Sequence, residues 1–188
     1  MKRAIIVHCW GGSPEYCWYP SVKKELEGKG FQVEVPAMPD TDKPNLHTWL
    51  PKLKETVGRA DKDTFLIGHS AGCITILRYL ESLPDGEEIG GAVLVAGFLD
   101  DLGFAELKNF FETPIDFEKI KAKCKNFVAI MSDNDPYVPL DRAATLKEKL
   151  GAEVIIKHGM NHFSGPVDKE ESCVELPDVV SVIENLIL

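Results

Sequence analysis

Six short apolar runs punctuate the chain, at Ala4–Cys9, Phe31–Val35, Thr64–Gly68, Gly91–Ala96, Phe127–Ser132 and Glu153–Lys157. Several are nearly continuous in Val, Ile, Leu and Ala, the pattern of strands buried on both faces. Between them the pattern predicts helices over Pro20–Lys29, Thr48–Ala60, Ala71–Ser82, Asp116–Lys123 and Leu140–Leu150, with a last one over Asp178–Asn185. Gly30 and Gly151 fall where helix C-caps belong. Pro20 and Pro177 lie near helix starts, where a missing N–H costs little.

Strand–helix alternation with short links implies right-handed crossovers and a mostly parallel α/β sheet with helices on both faces. Ligands of such open sheets bind at the carboxyl ends of the strands, near a reversal of strand order. The chain contains no internal repeat, low-complexity segment or interdomain linker, so one domain is expected over residues 1–188. The longest irregular stretch, Pro36–His47, reads either as a surface crossover or as a pocket-lining loop.

Composition narrows the function classes. The formal net charge is −9 and no Lys/Arg-rich run offsets it, which disfavours nucleic acid and anionic membranes as partners. The apolar run after Met1-Lys2-Arg3 is too short for a signal sequence and no stretch is long enough to span a bilayer, so the expected location is the cytoplasm. Five scattered cysteines, an odd count, argue against a disulfide framework. With neither CxxC nor HExxH present, no metal or other cofactor is expected.

The chemistry concentrates at Gly68-His69-Ser70-Ala71-Gly72, a G-x-S-x-G between a buried strand and a helix. A sharp strand-to-helix turn lifts a serine oxygen above the sheet, and the flanking glycines let the neighbouring backbone pack without a Cβ clash. A serine hydroxyl needs a base. Of five histidines, His8 reads as a brace for the loop after the first strand and His47 as an exposed polar residue. His69 adjoins Ser70, but a sharp turn points successive side chains apart, and His158 closes the last strand. His162, in Gly159-Met160-Asn161-His162-Phe163, leaves that strand at the carboxyl edge, where a base must lie.

A carboxylate should orient the imidazole. Asp135, in Ser132-Asp133-Asn134-Asp135-Pro136, is the first candidate and Asp100 the second; the order Ser70, Asp135, His162 is nucleophile, acid, base. Two backbone donors should face the oxyanion: the N–H of Ala71 and that of Trp10, in His8-Cys9-Trp10-Gly11-Gly12. Trp18, Tyr137 and Phe163, together with Phe98, Phe104, Phe110 and Phe111, are candidate walls of an apolar acyl pocket or else core residues.

The loop His8–Gly12, the Gly68–Gly72 turn, Asp135-Pro136-Tyr137-Val138-Pro139 and Gly159–Phe163 together resemble the α/β hydrolases. The small size, the strand starting at residue 4 and the near absence of a lid resemble, within them, the retinoblastoma-binding protein nine family of small serine hydrolases. The resemblance implies a sheet lacking the first two antiparallel strands of larger hydrolases. Its order would be 2-1-3-4-5-6, with no full cap and with Ser70 at the switch point beside strand 1.

Two positions depart from the pattern. Cys9 stands where a glycine is usual, and Glu171-Ser172-Cys173-Val174-Glu175 lacks the leucine of the pocket-protein motif L-x-C-x-E, so that partner is not carried over. The expected activity is hydrolysis of a carboxylic ester or small amide through an acyl-enzyme on Ser70, with a small-molecule substrate. The rival is a non-catalytic protein-interaction module on a hydrolase scaffold. A third reading is thiol chemistry at Cys9 or Cys73.

Overall fold

The computed structural model describes residues 1–164 and 173–187. Six strands, β1 (Arg3–Val7), β2 (Gln32–Glu34), β3 (Thr64–His69), β4 (Gly91–Val95), β5 (Phe127–Ser132) and β6 (Glu153–Lys157), form one all-parallel sheet in the order β2-β1-β3-β4-β5-β6. β3, β4 and β5 are buried along their whole length, which is why their sequences read as unbroken apolar runs. The helices are α1 (Tyr19–Gly28), α2 (Leu46–Val57), α3 (Ala71–Ser82), α4 (Phe117–Lys123), α5 (Arg142–Leu150) and α6 (Pro177–Leu186).

Topology decides which face each helix covers. The chain moves outward from β1 to β2, then back across β1 to β3 and onward to β6. Right-handed crossovers made in opposite directions put their helices on opposite faces. α1 therefore lies on one side, joined there by α6, while α2, α3, α4 and α5 line up on the other. α3 is the central helix of that layer, and every residue from Ala71 to Leu80 is buried. The reversal falls between β1 and β3, and a crevice opens at their carboxyl ends.

The register sets what emerges beside what. Val7 of β1 is level with Gly68 of β3, so the loop after β1 and the turn at Ser70 leave the sheet side by side. Ser132 of β5 is level with Lys157 of β6, which pairs the Asp133–Asp135 segment with the loop carrying His162.

Several elements differ from their expected bounds for local reasons. β1 ends at Val7, because the Cys9 N–H is taken by the Tyr19 hydroxyl at 3.1 Å instead of a strand neighbour. α2 starts at Leu46, since the Asn45 side chain caps the N–H of His47 at 2.9 Å, and it ends at Val57 before Gly58 at φ +60°. Gly30, at φ +86°, does close α1: its N–H bonds the Glu27 carbonyl while that of Phe31 bonds Leu26, a Schellman motif.

The β4–β5 excursion holds a 3₁₀ helix, Ala105–Phe111, rather than a cap domain. Buried Arg78 of α3 fastens it, donating from Nε to the Phe110 carbonyl at 2.8 Å and from Nη2 to that of Thr113. Of the Glu171–Glu175 stretch, Glu171 and Ser172 lie outside the described residues. Among the described residues, no helix is long and apolar enough to cross a membrane.

Candidate active site

Ser70 occupies the one-residue hinge between β3 and α3, at φ +54° and ψ −117°, a backbone region that side chains rarely adopt. Its N–H is held by the Val95 carbonyl of β4 at 2.9 Å. The two flanking glycines are sterically required. A Cβ on Gly72 would strike the Val7 carbonyl oxygen, and a Cβ on Gly68 would lie 2.8 Å from Cα of Cys73. The first turn of α3 is thus pressed against the end of β1, and the Ala71 N–H, at the helix N-terminus, has no intrahelical acceptor.

Beside it runs the loop after β1. Its glycine donors are already used: the Gly11 N–H bonds the Thr41 carbonyl at 2.8 Å and the Gly12 N–H that of Cys9 at 3.0 Å. Trp10 lies between Cys9 and Gly11, with its indole N–H on the Asp42 carbonyl at 3.0 Å. The Pro36–His47 stretch therefore buttresses this loop, and through Asp42 it also lines the cavity described below.

His162 sits on the loop after β6, between two residues at positive φ, Asn161 at +46° and Phe163 at +54°. Its Nδ1 lies 2.8 Å from Oδ2 of Asp135, and both side chains are buried, at 8% and 1% exposure. The other Asp135 oxygen, Oδ1, accepts the N–H groups of Tyr137 at 2.8 Å and Val138 at 3.0 Å, so the carboxylate cannot rotate freely. Further bonds tie the two loops together. The Met160 N–H reaches Ser132 Oγ at 3.1 Å, and the Asn161 N–H reaches Asn134 Oδ1 at 2.8 Å. Asp133 accepts the Gly159 N–H at 2.9 Å and meets His158 Nδ1 at 2.6 Å, and the Gly159 bond, ahead of that from His158, lowers its pKa. Asp100 is engaged elsewhere. It accepts the Leu102 N–H at 2.9 Å and lies 2.9 Å from Nε of Arg142.

The remaining histidines are placed as braces or on the surface. His8 is buried, accepts the Met38 N–H at Nε2 and sets Nδ1 2.8 Å from the Cys9 carbonyl, and burial lowers its pKa. His47 is exposed. His69 is fully buried; burial first, and nearby His162 second, hold its pKa well below the ordinary value. Cys73 is also buried and its thiol is pushed far up by desolvation, which removes it as a thiolate nucleophile.

Ser70, Ala71, Trp10 and His162 open onto one cavity of about 330 Å³. Its described walls include the aromatic rings of Tyr16, Phe98, Phe104 and Tyr137 and the aliphatic side chains of Leu102 and Leu107. Trp10 meets Phe104 edge to face at 6.1 Å, and Tyr137 meets His162 in the same way at 5.1 Å. Asp42 is the one carboxylate among the described lining residues, and no lysine or arginine is there. Three of the candidate pocket aromatics belong to the core instead. Trp18 is fully buried against Tyr19 and His69, and Phe163 is likewise fully buried. Phe110 is also core, whereas Tyr16 and Leu107, which carry no motif signal, reach the cavity through tertiary packing. Among the described residues, no group of three or more His, Cys, Asp or Glu side chains is arranged to hold a metal ion.

A six-stranded parallel sheet of this order, with a strained serine on the turn after its third strand, has the α/β-hydrolase fold. The serine hydrolase family model matches residues 4–182, and the chain belongs to that family. It is 32% identical over 186 residues to YdeN of Bacillus subtilis (strain 168), covering 98% of this chain and 95% of that one. It is also 30% identical over 190 residues to the rat serine hydrolase RBBP9, again covering 98% and 95%. The crystal structure of the B. subtilis ydeN gene product superposes with a TM-score of 0.92 at 30% identity, covering 100% of this chain and 99% of that one. Est1E of Butyrivibrio proteoclasticus, bound to ferulic acid, is similar in fold with a TM-score of 0.73 at 15% identity, covering 100% and 88%.

Proposed function

We propose that the protein hydrolyses carboxylic esters or small amides with uncharged, apolar acyl groups, through an acyl-enzyme on Ser70. The observation that carries this reading is the 2.8 Å bond between Asp135 and His162 at a cavity onto which the strained Ser70 also opens. A carboxylate only accepts, so Nδ1 of His162 carries the proton and Nε2 is left with its lone pair. Nε2 removes the Ser70 proton as Oγ attacks the carbonyl carbon, then delivers it to the departing alkoxide or amine. Water repeats the sequence and releases the acid. The Trp10 and Ala71 N–H groups receive the charge that develops on the carbonyl oxygen. No cofactor takes part in these steps.

The described walls suit apolar acyl chains and include no lysine or arginine to pair with a carboxylate. Burying an unpaired carboxylate among such rings costs several kcal/mol. p-Nitrophenyl butyrate should therefore be hydrolysed with a pre-steady-state burst of p-nitrophenol. The p-nitrophenyl monoester of succinic acid, of the same chain length but anionic, should show a kcat/KM about 100-fold lower or less. Equal rates for the two esters would contradict the apolar acyl pocket. Absence of turnover on both esters and on the matching amides, by folded protein, would contradict the reading as a whole.

A further inference from the structure

We infer that Tyr19 and His69 are positioning residues that hold the oxyanion loop and the base in one fixed relation across Ser70; the inference rests on the reading above. Both side chains are fully buried. The Tyr19 oxygen lies 3.1 Å from the Cys9 amide nitrogen and 2.7 Å from Nδ1 of His69. Nε2 of His69 lies 2.7 Å from the backbone carbonyl oxygen of His162. Residues 9, 19, 69 and 162 thus form one continuous hydrogen-bonded line.

The chemistry of the ends sets every proton in the line. The Cys9 amide only donates, so the Tyr19 oxygen accepts there and gives its own proton to Nδ1 of His69. The His162 carbonyl only accepts, so Nε2 of His69 carries the hydrogen. Both demands select the same neutral tautomer of His69, and no group in the line is left unpaired. Burial keeps both members neutral, raising the phenol of Tyr19 and lowering the imidazole of His69.

The line reaches the two places where the proposed reaction is most sensitive to position. The Cys9 amide directly precedes Trp10, whose N–H is the proposed oxyanion donor. The carbonyl of Cys9 is held in turn by Nδ1 of His8 at 2.8 Å and by the Gly12 N–H at 3.0 Å, so both peptide groups of Cys9 are tied. At the other end, the His162 carbonyl lies between Asn161 and Phe163, both at positive φ. Such backbone persists only when its surroundings over-determine it. The loop also starts at β6, three strands and roughly 14 Å from the strand that ends at Ser70. His69, adjacent to Ser70, holds the carbonyl of His162 at the Ser70 turn and fixes where its ring begins.

Tyr19→Phe tests this, since it removes one oxygen and leaves the ring packed against Trp18 and His69. Active sites are titrated with a fluorophosphonate, so that kcat is expressed per competent serine and loss of folded protein drops out. In Tyr19→Phe and in His69→Gln, kcat should fall about 10- to 100-fold, with KM within about threefold of wild type. The double variant should be no more than about threefold below the worse single variant, because both break the same line. In parallel, amide NMR of Tyr19→Phe should show shifts at Trp10 and at His162 together. A Tyr19→Phe protein with kcat per titrated site within twofold of wild type would overturn the inference, as would amide shifts at one end alone. The amide readout needs no turnover. A wild type that neither labels nor hydrolyses would therefore refute the proposed reaction while the positions of Trp10 and His162 were still being tested.

Discussion

His162→Ala should lower kcat for p-nitrophenyl butyrate by about 10⁶-fold, down to the residual rate that binding and backbone donors alone provide. The size of the effect follows from how the parts are arranged. None of the other described histidines offers Ser70 a second base: His69, next to it, uses both ring nitrogens on Tyr19 and on the His162 carbonyl. His8 uses both of its own on Met38 and Cys9. His158 faces Asp133 on the exposed side of the loop. Loss of the His162 ring leaves its carbonyl, and hence the bond from His69, in place, so circular dichroism and thermal unfolding should stay close to wild type. A variant that keeps kcat within tenfold of wild type would show that another group takes the serine proton.

Asp135→Asn should lower kcat by about 10⁴-fold with the fold intact. The structure dictates how the new amide would sit. Oδ1 of Asp135 accepts two backbone N–H groups, from Tyr137 and Val138, so the amide oxygen must take that place. The amide NH₂ then faces Nδ1 of His162, which can meet it only as an acceptor. The ring proton moves to Nε2, the nitrogen that must be bare to remove a proton from Ser70. Asp100→Asn, by contrast, should remain within a few-fold of wild type, since Asp100 serves the Leu102 turn and Arg142. The two kcat values, measured side by side, separate the candidate acids. A large loss in Asp100→Asn with little in Asp135→Asn would reverse the assignment.

The parallel sheet was legible because β3, β4 and β5 are buried on both faces and leave unbroken apolar runs. The Ser70 turn was legible because its two glycines answer steric demands that no larger residue meets, namely the Val7 carbonyl and the backbone at Cys73. Asp135 and His162 were legible as a pair because their strands end level, at Ser132 and Lys157.

What the sequence hid depends on packing between distant segments. The 3₁₀ helix Ala105–Phe111 has no 3.6-residue period to betray it, and the arginine that fastens it comes from α3. Trp18 and Phe163 look like pocket aromatics by their neighbourhood in the chain, yet both are in the core, while Tyr16 and Leu107 reach the cavity. α2 starts at Leu46, two residues before the Thr48 that the pattern predicts, because Asn45 acts through its side chain, as a cap. The connection of Tyr19 to His69 and of His69 to His162 spans 50 and 93 positions, and nothing local marks it.

Whether Ser70 is the nucleophile of an acyl-transfer site is read by a covalent label. Folded protein is treated with a fluorophosphonate, digested, and the adduct located by mass spectrometry, with Ser70→Ala treated in parallel. One adduct per chain is expected, on Ser70, and none on the Ser70→Ala protein. Equal labelling of the variant, an adduct on another residue, or a folded wild type that takes no label would contradict it, the last result pointing to a hydrolase scaffold used for binding alone.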